Sequence, residues 1–190
     1  MTTRARRRRQ SGGFGRTGRR DWLWGVAILI VGIAVVASIF LVVSKDSGPN
    51  QPDIAGLPCE RGEKLNYHVH SFLAVFVEGQ QVQVPANIGI NVQERCYFWL
   101  HTHDASGIVH VEAPQQRDFT LGQFFAIWDR QLSATQLLNK TVDAGHQIKV
   151  TVNGVEVSGD PSQIKLQDKI SIVVQYGPPF ATPPSYNFGG

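Results

Sequence analysis

Five of the six histidines in this 190-residue chain fall between positions 68 and 110, with a spacing that suits metal binding. They form two His-x-His pairs and one His-x-Glu pair, at His68/His70, His101/His103 and His110/Glu112. Because strand side chains alternate between faces, residues two apart project from one side, about 6.5–7 Å apart. Imidazoles at that separation can converge on one ion with bonds of about 2.0–2.1 Å. The spacing predicts a metal site with these five histidines as ligands.

The types of ligand in this set limit which metal ion can bind and which reactions the ion could support. Imidazole with few soft donors suits Zn²⁺ or Cu²⁺ best, although Ni²⁺ and non-haem iron are compatible. Met1 is the only methionine, which argues against a methionine-rich Cu(I) relay. A filled shell would serve structure, storage, delivery or sensing. Three histidines with an open position, similar to the zinc site of carbonic anhydrases, would instead activate water for hydrolysis or hydration.

Two carboxylates lie close enough in sequence to act as a general acid or base. They are Asp104 and Glu112. Asp104 also suits the first position of a turn, and Glu112 also suits a partner that orients an imidazole. His146 lies apart from the other histidines and is predicted to be structural or exposed.

The elements that position the histidines are predicted strands over 65–78, 96–103 and 108–112. In a four-residue hairpin at 104–107, His101 faces His110, and His103 and Glu112 share their face. A turn with a bulge at Gly107 shifts the register by one and moves His110 away. The sequence leaves both registers open. In either one, the pair at 68 and 70 needs a neighbouring strand to complete the site.

The remaining pattern predicts an α+β fold. Thr120 can cap a helix over 121–132, a second short helix falls around 134–138, and Asn153-Gly154 marks a hairpin between 146–152 and 155–157. A last strand covers 170–175. Strands, then helix, then strands predict a small mixed or antiparallel sheet with one or two helices. A cupin-like double-stranded β-helix is a second possibility, although the glutamate that cupins place four residues after their His-x-His pair is absent after His70.

Charge and hydropathy divide the chain into five segments. Residues 1–20 hold eight arginines and no acid, whereas acidic residues outnumber basic ones fourteen to ten from Ser44 onward. The mildly acidic outer part argues against nucleic-acid binding. The predicted segments are a cytoplasmic Arg-rich tail (1–21), a transmembrane helix (22–43), a linker (44–58), an extracytoplasmic domain (59–176) and a Pro/Gly-rich disordered tail (177–190).

The predicted transmembrane helix contains no charged residue and reaches about 33 Å at a rise of about 1.5 Å per residue, enough to cross a bilayer. The arginines before it predict a cytoplasmic N-terminus, in the inner or plasma membrane. Arg19-Arg20 leaves a twin-arginine export signal as an alternative. In the oxidising compartment that this topology implies, Cys59 and Cys96 are expected to form a disulfide, with free thiols or a metal ligand as the alternatives.

Three motifs carry a resemblance to other proteins: YHVHSFLAVFVEG, LHTHDASGIVHVE and FTLGQFFAIW. They make residues 65–128 similar to an uncharacterised group of short, membrane-tethered prokaryotic proteins. The resemblance implies a shared histidine site and no particular reaction.

Three hypotheses follow for function. The preferred one is a membrane-anchored domain that binds a divalent transition metal for handling or sensing. The second is a metal-dependent hydrolase or hydratase with an open coordination position. The third is an accessory subunit of a membrane complex without metal, for which Phe124, Phe125 and Trp128 would be contacts if they were not buried in the domain's own core.

Overall fold

A computed structural model describes residues 53–188 of the chain. The predicted cytoplasmic tail (1–21), the transmembrane helix (22–43) and most of the linker lie outside these residues. Within residues 53–188, no helix is long and apolar enough to cross a bilayer.

Thirteen strands and one α-helix make up the described part. The first eight strands are β1 (Asp53–Ile54), β2 (Leu57–Glu60), β3 (Tyr67–Val77), β4 (Gln80–Val82), β5 (Ile90–Asn91), β6 (Cys96–Phe98), β7 (Leu100–His101) and β8 (Ile108–Ala113). They are followed by α1 (Leu121–Ile127), β9 (Gln136–Leu137), β10 (Lys140–Thr141), β11 (Gln147–Val152), β12 (Val155–Val157), a 3-10 helix (Pro161–Gln163) and β13 (Ile170–Gly177). A sheet-dominated α+β domain is therefore confirmed.

The main sheet has seven strands, in the order β12-β11-β13-β3-β8-β7, with β4 also paired to β3. Strand β3 is central and pairs antiparallel with β8 but parallel with β13. That parallel pair differs from the antiparallel strands of a cupin-type double-stranded β-helix. Because the main core covers one face of β3 and the smaller cluster covers the other, its apolar run FLAVF is buried along its length.

Alternate residues of β3 enter two different apolar clusters. Leu73 and Val75 point into the main core, which is closed by α1. Phe72, Ala74 and Phe76 point to the opposite face and form a smaller cluster with Val173. Because side chains alternate along a strand, His68 and His70 share that second face.

Helix α1 begins and ends at specific local signals. The Thr120 hydroxyl accepts the Gln123 N–H and the Gln123 side chain accepts the Thr120 N–H, a capping box. The helix ends at Ile127, five residues before the predicted end, because Asp129 adopts φ +56° and Arg130 N–H donates to the Phe125 carbonyl. Phe124 and Phe125 are buried in the main core, which removes these two as contacts for a partner subunit.

The second helix predicted around 134–138 is wrong. This segment instead forms the hairpin β9–β10, with Leu137 opposite Lys140. The Ser133 hydroxyl accepts the Thr135 N–H, and Leu138 adopts φ +54°, which a right-handed helix does not allow.

The strand predicted over 96–103 is divided at Trp99. Its first part, β6, joins a four-stranded sheet of order β1-β2-β6-β5, while β7 pairs with β8 in the main sheet. The Trp99 indole N–H donates to Glu60 Oε2 at 2.8 Å across this division. The predicted disulfide between Cys59 and Cys96 is confirmed, with their Cα atoms 5.3 Å apart. Residues 53–58, predicted as linker, contribute β1 and the start of β2.

Two further predictions concern the last third of the chain. The Asn153-Gly154 hairpin is confirmed, and both residues have the positive φ of a type I′ turn. The C-terminal tail, predicted to be disordered, lies along the second face of the sheet as far as residue 188. Gln175 exchanges two hydrogen bonds with the Ala181 backbone, and Tyr186 stacks on Phe72 with ring centroids 4.2 Å apart. Aromatic residues among the prolines supply the apolar surface that holds the tail.

Candidate metal centre

Three adjacent strands and the loop that follows β7 bring the five predicted histidines together at the second face of the main sheet. In β7 and β8, His101 lies opposite His110, so the structure adopts the four-residue register. In β8 and β3, His110 lies opposite His70, and Glu112 lies opposite His68. The register therefore places a row of three histidines across three strands, with Glu112 beside it.

Gly107 allows this register. Its φ is +88°, and a Cβ at this position would lie 2.5 Å from the Leu73 carbonyl oxygen of β3. Only glycine fits that backbone conformation and that close approach. The turn thus holds β8 against β3 without a bulge that would move His110 off the face.

His110 lies at the centre of the cluster. Its ring centroid is 4.5 Å from that of His70, 4.4 Å from that of His103 and 5.5 Å from that of His101. The His68 ring lies 6.0 Å away. These spacings bring imidazoles from separate strands within reach of a shared ion.

Glu112 supplies the carboxylate of the cluster and is only 3% exposed. Its Oε1 lies 3.2 Å from His68 Nε2 and 3.5 Å from His110 Nδ1, and its Oε2 lies 3.7 Å from His101 Nε2. The two carboxylate oxygens therefore face histidines on opposite sides of β8. Burial of Glu112, with a smaller contribution from the nearby Glu63, raises the pKa of its carboxyl.

His101 is held in the form that a metal ligand needs. Its ring is fully buried, and Nδ1 lies 2.9 Å from the Phe98 carbonyl oxygen. Since a carbonyl oxygen only accepts, Nδ1 carries the proton and Nε2 presents a lone pair toward Glu112. Burial lowers the pKa of His101 to about 4, so the imidazole is neutral at neutral pH.

The other inner histidines are also kept neutral. Burial, reinforced by the surrounding histidines, lowers the pKa of His110 to about 3. Burial and the adjacent His68 lower the pKa of His70. A neutral imidazole is the form that binds a metal ion, so these residues lose no affinity to protonation at neutral pH.

Three polar atoms in the cluster are buried without a hydrogen-bond partner. Four such side-chain atoms occur among residues 53–188, and three of them are His101 Nε2, His110 Nδ1 and Glu112 Oε2. Leaving a buried polar atom unpaired costs about 1–3 kcal/mol each, so this concentration needs a compensating interaction. Coordination of a cation would satisfy all three atoms together.

The distances fit a first-row metal ion. Ligand atoms of His101, His103, His110 and Glu112 all lie within 4.8 Å of one another. On a tetrahedral zinc ion with bonds of about 2.0–2.1 Å, neighbouring ligand atoms are about 3.3 Å apart. The spacing of 3.7 Å between His101 Nε2 and Glu112 Oε2 approaches that value. This cluster could therefore hold a transition metal ion.

Residues at the rim differ from their predicted roles or were not predicted. Asp104 Oδ1 accepts the Ser106 N–H at 2.9 Å, and hydrogen bonds from Ser106 lower the pKa of its carboxyl, which is typical of a turn residue. Sequence reasoning missed Glu63, whose Oε1 lies 3.6 Å from His103 Nε2. No local pattern marks a carboxylate in the loop before β3. His146 lies apart as predicted, paired with Asp143 at 2.9 Å.

A pocket of about 320 Å³ opens beside the cluster. His70 and His110 form the wall that faces the cluster. The remaining lining residues are Asp104, Ser106, Ile108, Lys169, Tyr186 and Phe188. The two aromatic residues belong to the C-terminal tail, which was predicted to lie outside the domain. Alternation of Tyr186 and Phe188 was the one signal that this segment could pack on the sheet.

The fold and the site together define an α+β domain with a histidine–glutamate cluster on one sheet face that could hold a metal ion. Comparison of the chain with known proteins adds nothing to this description, since no family model, curated protein or solved structure matches it.

Proposed function

We propose that this protein binds a divalent transition metal ion, zinc or copper, for metal handling or sensing outside the cytoplasm. The observation that carries the proposal is the convergence of three buried, unpartnered ligand atoms from His101, His110 and Glu112. His103 adds a fourth ligand from the rim. Imidazole and carboxylate donors without thiolate or thioether favour zinc or copper.

Metal analysis of the full-length chain, purified in detergent, tests this proposal. Wild type should retain zinc or copper through gel filtration, and His101→Ala/His103→Ala should retain less of it, because two ligands are removed. His146→Ala is the matched control, because His146 lies outside the cluster and should leave the metal content unchanged. Equal and negligible metal in wild type and the double variant after incubation with each ion would refute the proposal.

The proposed location rests on separate observations. The Cys59–Cys96 disulfide supports an oxidising compartment, and the arginine-rich segment before the uncharged stretch at 22–43 supports a membrane anchor with a cytoplasmic N-terminus. In a bacterium that produces the full chain, protease added outside spheroplasts should degrade the domain while a cytoplasmic marker survives. Protection of the domain until the cells are lysed would contradict this topology.

The pocket favours a second candidate function, a metal-dependent hydrolase or hydratase. His70 and His110 both line it, so an ion in the cluster would border a space large enough for a small substrate. Zinc would then supply an activated water, with Asp104, which lines the pocket, as the candidate general base, because Glu112 would be a ligand of the ion. Zinc-loaded protein should hydrolyse a nitrophenyl ester faster than metal-free protein, and His101→Ala/His103→Ala should remove the difference. An identical rate with and without zinc would refute the hydrolase function and leave metal binding as the remaining proposal.

A further inference from the structure

The cluster contains more ligands than one tetrahedral ion can use. Besides the four ligands already described, His68 and His70 complete a second group with His110, whose ligand atoms also lie within 4.8 Å of one another. Five imidazoles and one carboxylate therefore surround a single stretch of β8. A four-coordinate ion would leave two of these six side chains without a role.

Glu112 divides these ligands into two sets. Its Oε2 faces His101 on the β7 side, whereas its Oε1 faces His68 on the β3 side, at 3.7 and 3.2 Å. A carboxylate can give one oxygen to each of two ions. Ions in two-metal sites lie about 3.5–4 Å apart, a span that one carboxylate bridges.

We propose that the site is dinuclear, with two transition metal ions bridged by the Glu112 carboxylate. His101 and His103 bind one ion with Oε2, and His68 and His70 bind the other with Oε1. His110 lies between the two pairs, 4.4 Å from the His103 ring and 4.5 Å from the His70 ring, and completes one of the two shells. This inference rests on the proposed metal-binding function and extends it to a second ion.

Acidic residues around the cluster offset the charge that a second ion adds. Glu63 lies 3.6 Å from His103 on one side. On the other side, Asp168 Oδ1 accepts the His70 backbone N–H at 3.2 Å. Asp104, at the turn between β7 and β8, lines the same pocket as His70 and His110. Three carboxylates thus flank a site whose only buried carboxylate is Glu112.

The first test is the number of zinc ions per chain, measured by native mass spectrometry on the full-length protein in detergent. Wild type should bind two ions, His68→Ala/His70→Ala one, and the control His146→Ala two. Both substituted histidines are partly exposed, so the variant should fold, and an intact Cys59–Cys96 disulfide with an unchanged far-UV spectrum checks this.

The outcomes separate this proposal from the one on which it rests. One ion in wild type would overturn the dinuclear centre but leave the metal-binding function intact. No ion in wild type would overturn both. Two ions in His68→Ala/His70→Ala would place the second ion elsewhere and also overturn the assignment.

The second test uses Cu²⁺ and electron paramagnetic resonance to detect the bridge. Two copper ions sharing Glu112 should couple magnetically, giving a half-field transition or loss of the isolated-ion signal. His68→Ala/His70→Ala should restore the signal of a single, uncoupled ion. Two bound coppers with uncoupled spectra in wild type would contradict the shared carboxylate.

Discussion

The two faces of the main sheet arise from alternate residues of the same strands but differ in how their polar groups are satisfied. On β8, Val109 and Val111 point into the main core and are fully buried among apolar side chains. Between and beyond them, His110 and Glu112 point to the opposite face, where their ring nitrogen and carboxylate oxygen have no hydrogen-bond partner. The first face therefore stabilises the fold through buried apolar side chains. The second face contains buried polar atoms whose desolvation cost only a bound ligand would offset.

The largest expected effect is the loss of a core side chain on the first face. Phe124→Ala should lower the free energy of unfolding by about 3–5 kcal/mol, because it removes a fully buried aromatic ring. Urea unfolding of the metal-free full-length chain measures the change. Zinc binding by the protein that remains folded should be unaltered, because Phe124 lies on the opposite side of the sheet from the ligands.

Glu112→Gln is the matched substitution on the second face. It keeps the side-chain shape but removes a buried charge without a full set of partners, so the metal-free protein should change in stability far less than Phe124→Ala. Zinc affinity, measured by calorimetric titration, should fall at least tenfold. If Glu112→Gln destabilises the metal-free protein as much as Phe124→Ala, the two faces do not differ in the way described.

A smaller effect is expected from adding metal to the wild-type protein. Zinc at about 100 times its Kd should raise the free energy of unfolding by about 2.7 kcal/mol for each bound ion, since the folded state alone presents the ligands in register. Thermal unfolding with zinc and with a chelator measures this shift. His101→Ala/His103→Ala should show a smaller shift, because it removes the ligands of one of the two ions, while His146→Ala should show all of it. A shift of equal size in the double variant would mean that zinc acts outside the cluster.

Acid should weaken the metal-free protein through the second face. Burial lowers the pKa of His101 to about 4 and that of His110 to about 3 in the folded protein. In the unfolded chain both histidines bind a proton below about pH 6.5, where the folded protein keeps them neutral. As the pH is lowered, the free energy of unfolding should therefore decrease by up to about 1.4 kcal/mol per pH unit for each histidine. The raised pKa of Glu112 acts in the opposite sense and offsets part of this loss.

Urea unfolding between pH 7 and pH 5 measures this dependence. His101→Gln should flatten the profile, because the side chain no longer titrates, and His146→Gln should leave it unchanged. A profile of the same slope in wild type and His101→Gln would show that acid acts through other groups.

The local signals in the sequence predicted those parts of the fold that depend on neighbouring residues. Asn153-Gly154 predicts its hairpin because both positions need positive φ, and Thr120 predicts the start of α1 because its hydroxyl caps the helix. The periodicity of two also placed His68 and His70 on one face. Alternation is a property of any strand, so this inference needed no tertiary information.

Sequence reasoning failed where a local backbone conformation has no clear residue signal and where distant contacts decide the structure. The end of α1 depends on Asp129 in a left-handed conformation, which the apolar periodicity through Leu132 conceals. The choice between two registers at 104–107 depends on the close approach of Gly107 to Leu73 in β3, a residue more than thirty positions earlier. The position of Glu63 beside His103 depends on how a loop packs, which no spacing rule describes.

The smallest expected effect comes from the tail that covers the apolar part of the second face. Tyr186 stacks on Phe72 at 4.2 Å, so Tyr186→Ala should lower the free energy of unfolding by about 0.5–1.5 kcal/mol. Leu65→Ala is the control for loss of an exposed apolar side chain, because Leu65 is 60% exposed. Urea unfolding of the metal-free chain compares the two variants.

Tyr186→Ala also distinguishes the apolar part of the second face, which the tail covers, from the histidine cluster beside it. Tyr186 lines the pocket but is not a ligand, so Tyr186→Ala should leave the number of bound zinc ions unchanged while widening access to His70 and His110. Faster zinc release to a chelator, at unchanged stoichiometry, is the expected result. If stability and release rate both match those of Leu65→Ala, the tail does not cover the sheet in solution. The histidines would then face solvent rather than a pocket, and the hydrolase alternative would lose the observation that favours it.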